Sequence, residues 1–380
     1  MGFFYKHLLH PMISRVTRHK AFTNNPYLGF AIDAGDNAIA DELFSISLAY
    51  QNGHYSLPKD SGRAKEYCFK AAERGHVVAQ NFAIQWSMKR NDDTSDAVMY
   101  WLRKAAEQGE KQALFNLGIS YHRGDVDGTA NVQKSNELFR QSAEFGYLPA
   151  YTRMAQIYYN GEGVEKNNTI AKYWAMLEYS NMSEHESEKS ILNILLEESD
   201  ITEDKTIDHK KIIEEAAKAG ERDAMNNWAS GLRQTNNKEE GIKVWKQAVE
   251  LGHPLAMCNL ARQLWTDEVK DYKQAKELLE KSASLGFEGA YYCLAVMYYQ
   301  GLGVEKDIKK SWSYLEQSLN FGNNDARYLF ATMCFNNEME GVIPDIYGRG
   351  WHYMELAGQQ GYVPALEFFK QQKQGLNHNK

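Results

Sequence analysis

The chain has 380 residues, 43% of them hydrophobic and 24% charged, which excludes both a disordered chain and a membrane-embedded one. A net charge of −7 argues against a general nucleic-acid binder, and no apolar run approaches the ~20 residues of a transmembrane segment. Only 7 prolines among abundant Ala, Leu, Glu and Lys favour helix throughout.

Residues 1–32 carry Lys6, Arg15, Arg18 and Lys20 and no acid, so this segment is +4 and the remainder −11. Its apolar residues Phe3, Phe4, Leu8, Leu9, Met12 and Ile13 suffice for one amphipathic helix around Pro11. Lys6 interrupts any secretory core. Residues 1–26 are therefore expected to be an accessory segment. They would form a cap on the first repeat, a short transit-like targeting sequence, or a membrane- or partner-binding arm.

From residue 27 onward one pattern recurs: two small residues, two variable ones, a Gly, and an Ala four later. Its glycines are Gly75, Gly109, Gly146, Gly220, Gly252, Gly286, Gly322 and Gly361, with a weaker first copy at Gly35 and a copy near Met182 that has lost its Gly. Four before each Gly stands a small residue (Ala71, Ala105, Ser142, Ala216, Ala248, Ser282, Ser318, Ala357), and eight before it a large one such as Trp101, Leu138 or Tyr353. That spacing is one face of a helix B that ends in a left-handed glycine cap. The Ala, often with a proline just before it (Pro149, Pro254, Pro364), opens the next helix A.

In chain order, residues 27–34 read as a lone B helix. A helices follow near 38–51, 79–90, 113–122, 150–160, 184–197, 224–234, 256–266, 290–300 and 326–338, each with its B helix. A closing A helix is expected over 365–373 and a flexible tail over 374–380. The A–B turns Gly161–Asn167 and Gly301–Asp307 have glycines that stop helix A, with Asn167 or Asp307 to cap helix B. Without a GK[ST] sequence they are turns, not phosphate loops. The acidic residues of 184–204 fall where the repeat is weakest. They read as a solvated loop, or as a hinge or dock for a basic partner.

The Leu-Gly-x-x-Tyr, Gly-x-Gly-Val-x-x-[Asp/Asn] and Ala-Ala-x-x-Gly-x-x-x-Ala patterns together resemble the Sel-one-like repeat (SLR) family, a relative of the tetratricopeptide repeats. The resemblance covers about 27–370 and implies an all-α fold: a right-handed αα superhelix of about nine helix pairs. It also implies a scaffold or adaptor role in protein complexes, and it carries no catalytic residues to transfer.

The residues themselves suggest no cofactor or metal. The eleven histidines lack metal spacing, and His76 and His253, each just after a repeat Gly, read as caps on the preceding helix. The four cysteines, Cys68, Cys258, Cys293 and Cys334, form no CxxC and fit a reducing, cytoplasmic setting. Cys258 and Cys293 read as packing groups. The positive candidate is a row of aromatic residues on the A helices: Phe115, Tyr292 and Tyr328 two after the Ala, and Tyr159, Trp265, Tyr299 and Phe335 nine after it. These lie away from the +0/+4/+8 stripe and are either groove anchors for a protein or peptide partner or part of the inter-repeat core. Partner binding in a groove is the leading function. A bacterial immunity protein that neutralises a toxin is a narrower form of it, and a hydrolase with a groove site is the reading from another class.

Overall fold

The structure is a computed structural model that describes residues 38–53, 57–88, 94–181, 208–235, 237–266, 270–343 and 345–378. These residues form helices with no strand among them. A and B helices alternate: α1 (Ala40–Asn52), α2 (Ser61–Glu73), α3 (Val77–Met88), α4 (Thr94–Glu107), α5 (Lys111–Arg123), α6 (Val132–Glu144), α7 (Leu148–Asn160) and α8 (Asn168–Tyr179). After the interval that holds the expected 184–197 helix, which lies outside the described residues, come the B helix α9 (His209–Lys218), then α10 (Arg222–Gln234), α11 (Lys238–Glu250), α12 (Pro254–Thr266) and α13 (Tyr272–Ser284). The last five are α14 (Glu288–Gln300), α15 (Ile308–Asn320), α16 (Asn324–Phe335), α17 (Ile346–Gln359) and α18 (Val363–His378). The 27–34 helix, the 1–26 segment and the acidic stretch 184–204 also lie outside the described residues. The last helix reaches His378, through most of the expected tail.

The small residues that define the repeat are where the helices touch. Ala71, Ala105, Ser142, Ala216, Ala248, Ser282, Ser318 and Ala357 are all 0% exposed, as are Ala79, Ala113, Ala150, Ala224, Ala256, Ala290, Ala326 and Ala365. A larger side chain at any of them would separate two helices. Serines on helix B close the A–B pair further: Ser135 Oγ donates to the Gly118 carbonyl at 2.8 Å and Ser311 Oγ to that of Ala295 at 2.8 Å.

From α3 onward the described A helices begin two residues earlier than the Ala predicts, whereas α1 begins at Ala40, two after the expected start at 38. The repeat glycines have φ between +74° (Gly322) and +93° (Gly220). This left-handed residue turns the chain so sharply that the very next residue is already the N-cap. Thus Glu110 accepts from the Ala113 N–H at 2.6 Å and Asn323 from the Ala326 N–H at 2.9 Å. Pro149 falls within the first turn of α7, where its missing N–H costs nothing. Asn167 and Asp307 cap α8 and α15 as expected, accepting from Ile170 N–H at 3.1 Å and Lys310 N–H at 2.9 Å.

The contacts divide the chain into two compact units, residues 86–290 and residues 1–85 together with 291–380. In the first, a core of Phe139, Met154, Ile157, Tyr158, Tyr173 and Trp174 lies between successive helix pairs. In the second, the core of Leu315, Phe330, Met333, Tyr353 and Met354 runs from α15 to α18. The second unit also contains a long-range closure: α1, the first described helix, packs against the C-terminal repeats, with Ile39 flanking the α15–α18 core.

The four cysteines are free, and Cys68, Cys258 and Cys334 are buried. Cys258 lies 3.3 Å from Ser282 Oγ, a packing position. Thermal melts with and without a thiol reductant are expected to coincide. A lower midpoint in reductant would require a disulfide among these residues.

Candidate functional site

The polar chemistry of each unit is concentrated in a buried network, and both networks begin from the same helix-start device. His253 stands at the N-cap of α12, where its Nδ1 accepts the Ala256 N–H at 3.0 Å and its Nε2 lies 3.0 Å from Asp223 on α10. His76 does the same at α3, with Ala79 N–H at 3.1 Å and Asp41 of α1 at 3.1 Å. Each also caps the preceding helix as expected, through its backbone N–H, His76 donating to the Ala71 carbonyl and His253 to the Ala248 carbonyl, both at 3.0 Å; the side chain's hold on the following helix was not expected. An Nδ1 that accepts a backbone N–H leaves the proton on Nε2, which donates to the carboxylate. Each histidine therefore starts one A helix and holds the A helix of the repeat before it.

In the 86–290 unit, Asp223 also accepts from the Tyr173 hydroxyl, and Asn227 Nδ2 donates to that hydroxyl oxygen at 2.6 Å. Two arginines tie α6 to the start of α10. Arg140 donates to Glu221 at 2.7 Å and to the Tyr158 hydroxyl. Arg222 grips both oxygens of Glu144, at 2.6 and 3.1 Å, and donates to the Leu251 carbonyl at 2.9 Å. The side chains of Glu221 and Glu144 are 0% exposed. Burial raises the Glu144 pKa from its ordinary value even with His253, Arg222 and Arg140 pulling it down. The Tyr173 hydroxyl is pushed well above 10 by burial and by Asp223, so it stays protonated and donates.

In the other unit, Glu42 on α1 and Arg349 on α17 form a buried ion pair, with Nη2 donating to Oε2 at 3.1 Å and Nε 2.9 Å from Oε1. Arg327 Nη2 reaches Asp41 at 3.4 Å. Burial alone would raise the Asp41 pKa, but Arg327 and His76 outweigh it and hold the carboxyl well below the usual range. Burial lowers the His352 pKa from 6.5 to about 3, and Arg327 and Arg349 add to the depression against the pull of Asp41. A histidine that is neutral when folded and protonates near 6.5 when unfolded contributes stability fully above pH 6.5 and loses it as pH falls toward 3. Urea melts at about pH 7 and about pH 4.5 are expected to show a smaller acid loss for His352→Gln than for the native chain. An unchanged pH slope would mean that His352 titrates normally.

The carboxylates of both networks are buried, and their pairs act as cross-braces between repeats. Among the described residues, no group of His, Cys, Asp and Glu is arranged to hold a metal ion. None of the described helices is long and apolar enough to cross a membrane. The sequence reading missed the braces. The signal available was the charged run Glu221-Arg222-Asp223 straight after Gly220, at the position where chain turns into helix.

The seven aromatic residues expected on the A helices are all half-buried, and they are shared between the units. Phe115, Tyr159 and Trp265 belong to the 86–290 unit. Phe115 packs 5.2 Å from Phe139 and 5.3 Å from Tyr147, and Lys166 lies 4.9 Å over the Tyr159 ring. Tyr292, Tyr299, Tyr328 and Phe335 belong to the other unit and flank its core. Tyr299 donates to Glu338 at 2.7 Å under Lys306, Tyr328 lies 5.8 Å from Tyr362, and Phe335 stacks 5.4 Å from Phe368. Each ring with a named contact thus packs against its unit's core and keeps part of its surface in solvent.

Stacked αα pairs with glycine-capped B helices, small residues at the crossings and no reactive centre among the described residues define a helical-repeat protein. The Sel1 repeat model matches residues 43–76, 99–110, 111–147, 148–175, 254–287, 289–320 and 325–362, more than half of the chain, and the protein belongs to the Sel1 repeat family. The chain is 27% identical over 110 residues to the uncharacterized protein NMB1327 of Neisseria meningitidis, which takes in 29% of this chain and 22% of that one. It is 22% identical over 249 residues to the Sel1-repeat-containing protein YjcO of Escherichia coli, spanning 65% of this chain and 93% of YjcO. Among solved structures, a protective antigen of uropathogenic Escherichia coli with an SLR fold aligns over 89% of this chain and 65% of its own, at 22% identity and a TM-score of 0.36.

Proposed function

We propose that this protein is a non-enzymatic, cytoplasmic interaction scaffold that binds a partner protein or peptide along its A helices. The observation that carries the reading is the recurrence of half-buried aromatic rings at two fixed registers of the A helices, in a protein whose buried Arg–Glu pairs brace the repeats. A ring fixed on one side loses little freedom when a partner covers the other, which suits it to anchor an interface. The proposed anchors are Phe115, Tyr159, Trp265, Tyr292, Tyr299, Tyr328 and Phe335. Within each unit, stacked repeats supply the surface that carries its rings.

The test compares quantitative affinity capture from the native cell by the native chain and by two variants. One carries Phe115→Ala, Tyr159→Ala and Trp265→Ala, and the other carries Glu66→Ala, Glu215→Ala and Lys243→Ala on exposed B-helix positions. The reading expects proteins specifically retained by the native chain to be lost about tenfold or more with the first variant and kept with the second. Equal retention by the ring variant would overturn it. A captured secreted toxin encoded beside this protein would specialise the reading to an immunity role.

A further inference from the structure

We propose that a cavity between α10, α11 and α12 is a carboxylate-binding pocket that takes the C-terminal carboxylate or an acidic side chain of the bound partner. It deepens the scaffold reading and rests on it. The cavity measures about 480 Å³ and opens to solvent. Its lining among the described residues includes Arg233, Trp245, Asn259, Arg262, Gln263 and Thr266 and no acidic residue, within a chain whose net charge is −7.

Two donors without acceptors lie buried behind this wall. Trp245 is only 2% exposed, and its indole N–H has no hydrogen-bond partner among the described residues. The Arg233 guanidinium lies 5.1 Å over the same indole ring, and its Nε–H is likewise buried without a hydrogen-bond partner. The contact with the indole holds the guanidinium beside the cavity. Asn259 is held from below by its bond to Asn226 at 2.9 Å, and Asn226 is 1% exposed.

Buried N–H groups without acceptors are costly, and the group that answers them must be an acceptor. Two arginines beside an indole N–H, with no competing carboxylate among the described lining residues, call for an anion with two oxygens in one plane. A carboxylate is such an anion and is small enough for one end of a peptide to enter while the rest lies along the A helices.

The test uses the full chain labelled with 15N at tryptophan and follows the Trp245 indole resonance, assigned with Trp245→Phe. The probes are an acetylated Gly-Ser-Gly-Ser-Gly peptide with a free C-terminus, its C-terminal amide, and an amidated version with a central Glu. The proposal expects the free acid or the Glu peptide to shift the Trp245 signal saturably at millimolar concentration. Which of the two does so identifies the source of the carboxylate. The uncharged amide should leave the signal in place. Arg262→Gln, at an exposed position that leaves the packing intact, should weaken the response about tenfold with the other indoles unmoved. No movement with either carboxylate peptide, or equal movement with the neutral amide, would overturn the proposal. So would inorganic phosphate matching the carboxylate peptides. If the peptides fail while the ring variant still loses its captured partners, only the pocket is wrong. If they bind while the ring variant keeps its partners, the pocket stands and the scaffold reading falls.

Discussion

Replacing Arg349 by Met is expected to destabilise the protein by about 3–5 kcal/mol, several times the loss from breaking an ion pair at the surface. Arg349 is 1% exposed, and the Glu42 carboxylate it grips is 0% exposed. Without the guanidinium, that carboxylate stays buried with no opposite charge, or it must take up a proton. Either route is costly. Glu42 also accepts the Ile39 N–H at 3.1 Å at the start of α1, so the same carboxylate anchors the cap of the helix it braces. The double variant Glu42→Leu with Arg349→Met is expected to recover most of the loss, because the cost lies in the unpaired charge. Lys70→Met is the control. Lys70 and Glu66 also approach to 2.6 Å, but both are more than half exposed, and the change is expected to stay under about 1 kcal/mol. Urea unfolding of the four proteins checks this, and a loss under about 1 kcal/mol for Arg349→Met would mean that α1 is not held as described.

Gly109→Ala is expected to cost about 3 kcal/mol, against about 1 kcal/mol for Gly220→Ala. Both glycines are left-handed, at φ +81° and +93°, and both variants carry that backbone strain. They differ in space. A Cβ on Gly220 meets nothing within 4 Å, whereas one on Gly109 would stand 2.4 Å from the Gly286 carbonyl oxygen and 2.9 Å from the Phe145 ring. The reverse holds as well, since a Cβ on Gly286 would lie 2.8 Å from the Gly109 nitrogen. Two caps far apart in sequence are thus in backbone contact, and neither can carry a side chain without moving. Equal losses for the two variants in denaturant melts would show that these caps do not touch in solution.

Much of this architecture was legible because it repeats. Periodicity placed the helix pairs, and the small residues four before each glycine proved fully buried because the spacing of one helical face leaves them no alternative. From α3 onward the A-helix starts came two residues early because the Ala marks the packed crossing, not the first helical residue. The braces were not legible for a different reason. Arg349 stands twelve before Gly361, and other copies of the repeat carry Lys134, Glu240, Gln274 and Lys310 at that register, all of them exposed. Only the closure of α1 onto the C-terminal repeats, through a partner 307 residues away, turns that position into an interior one. Likewise the Arg233–Trp245 stack joins helices A and B across a turn. Neither residue breaks its local pattern, so the cavity they line leaves no trace in sequence.

The central claim is that the exposed sides of the A-helix rings receive the partner. The most direct measurement is hydrogen–deuterium exchange, resolved by peptide, of the full chain alone and saturated with a partner recovered by capture. The account predicts new protection concentrated in α5, α7, α12, α14 and α16, which carry Phe115, Tyr159, Trp265, Tyr292, Tyr299, Tyr328 and Phe335, with the B helices between them unchanged. Protection confined to the B helices, with the ring-bearing helices exchanging as in the free protein, would contradict it.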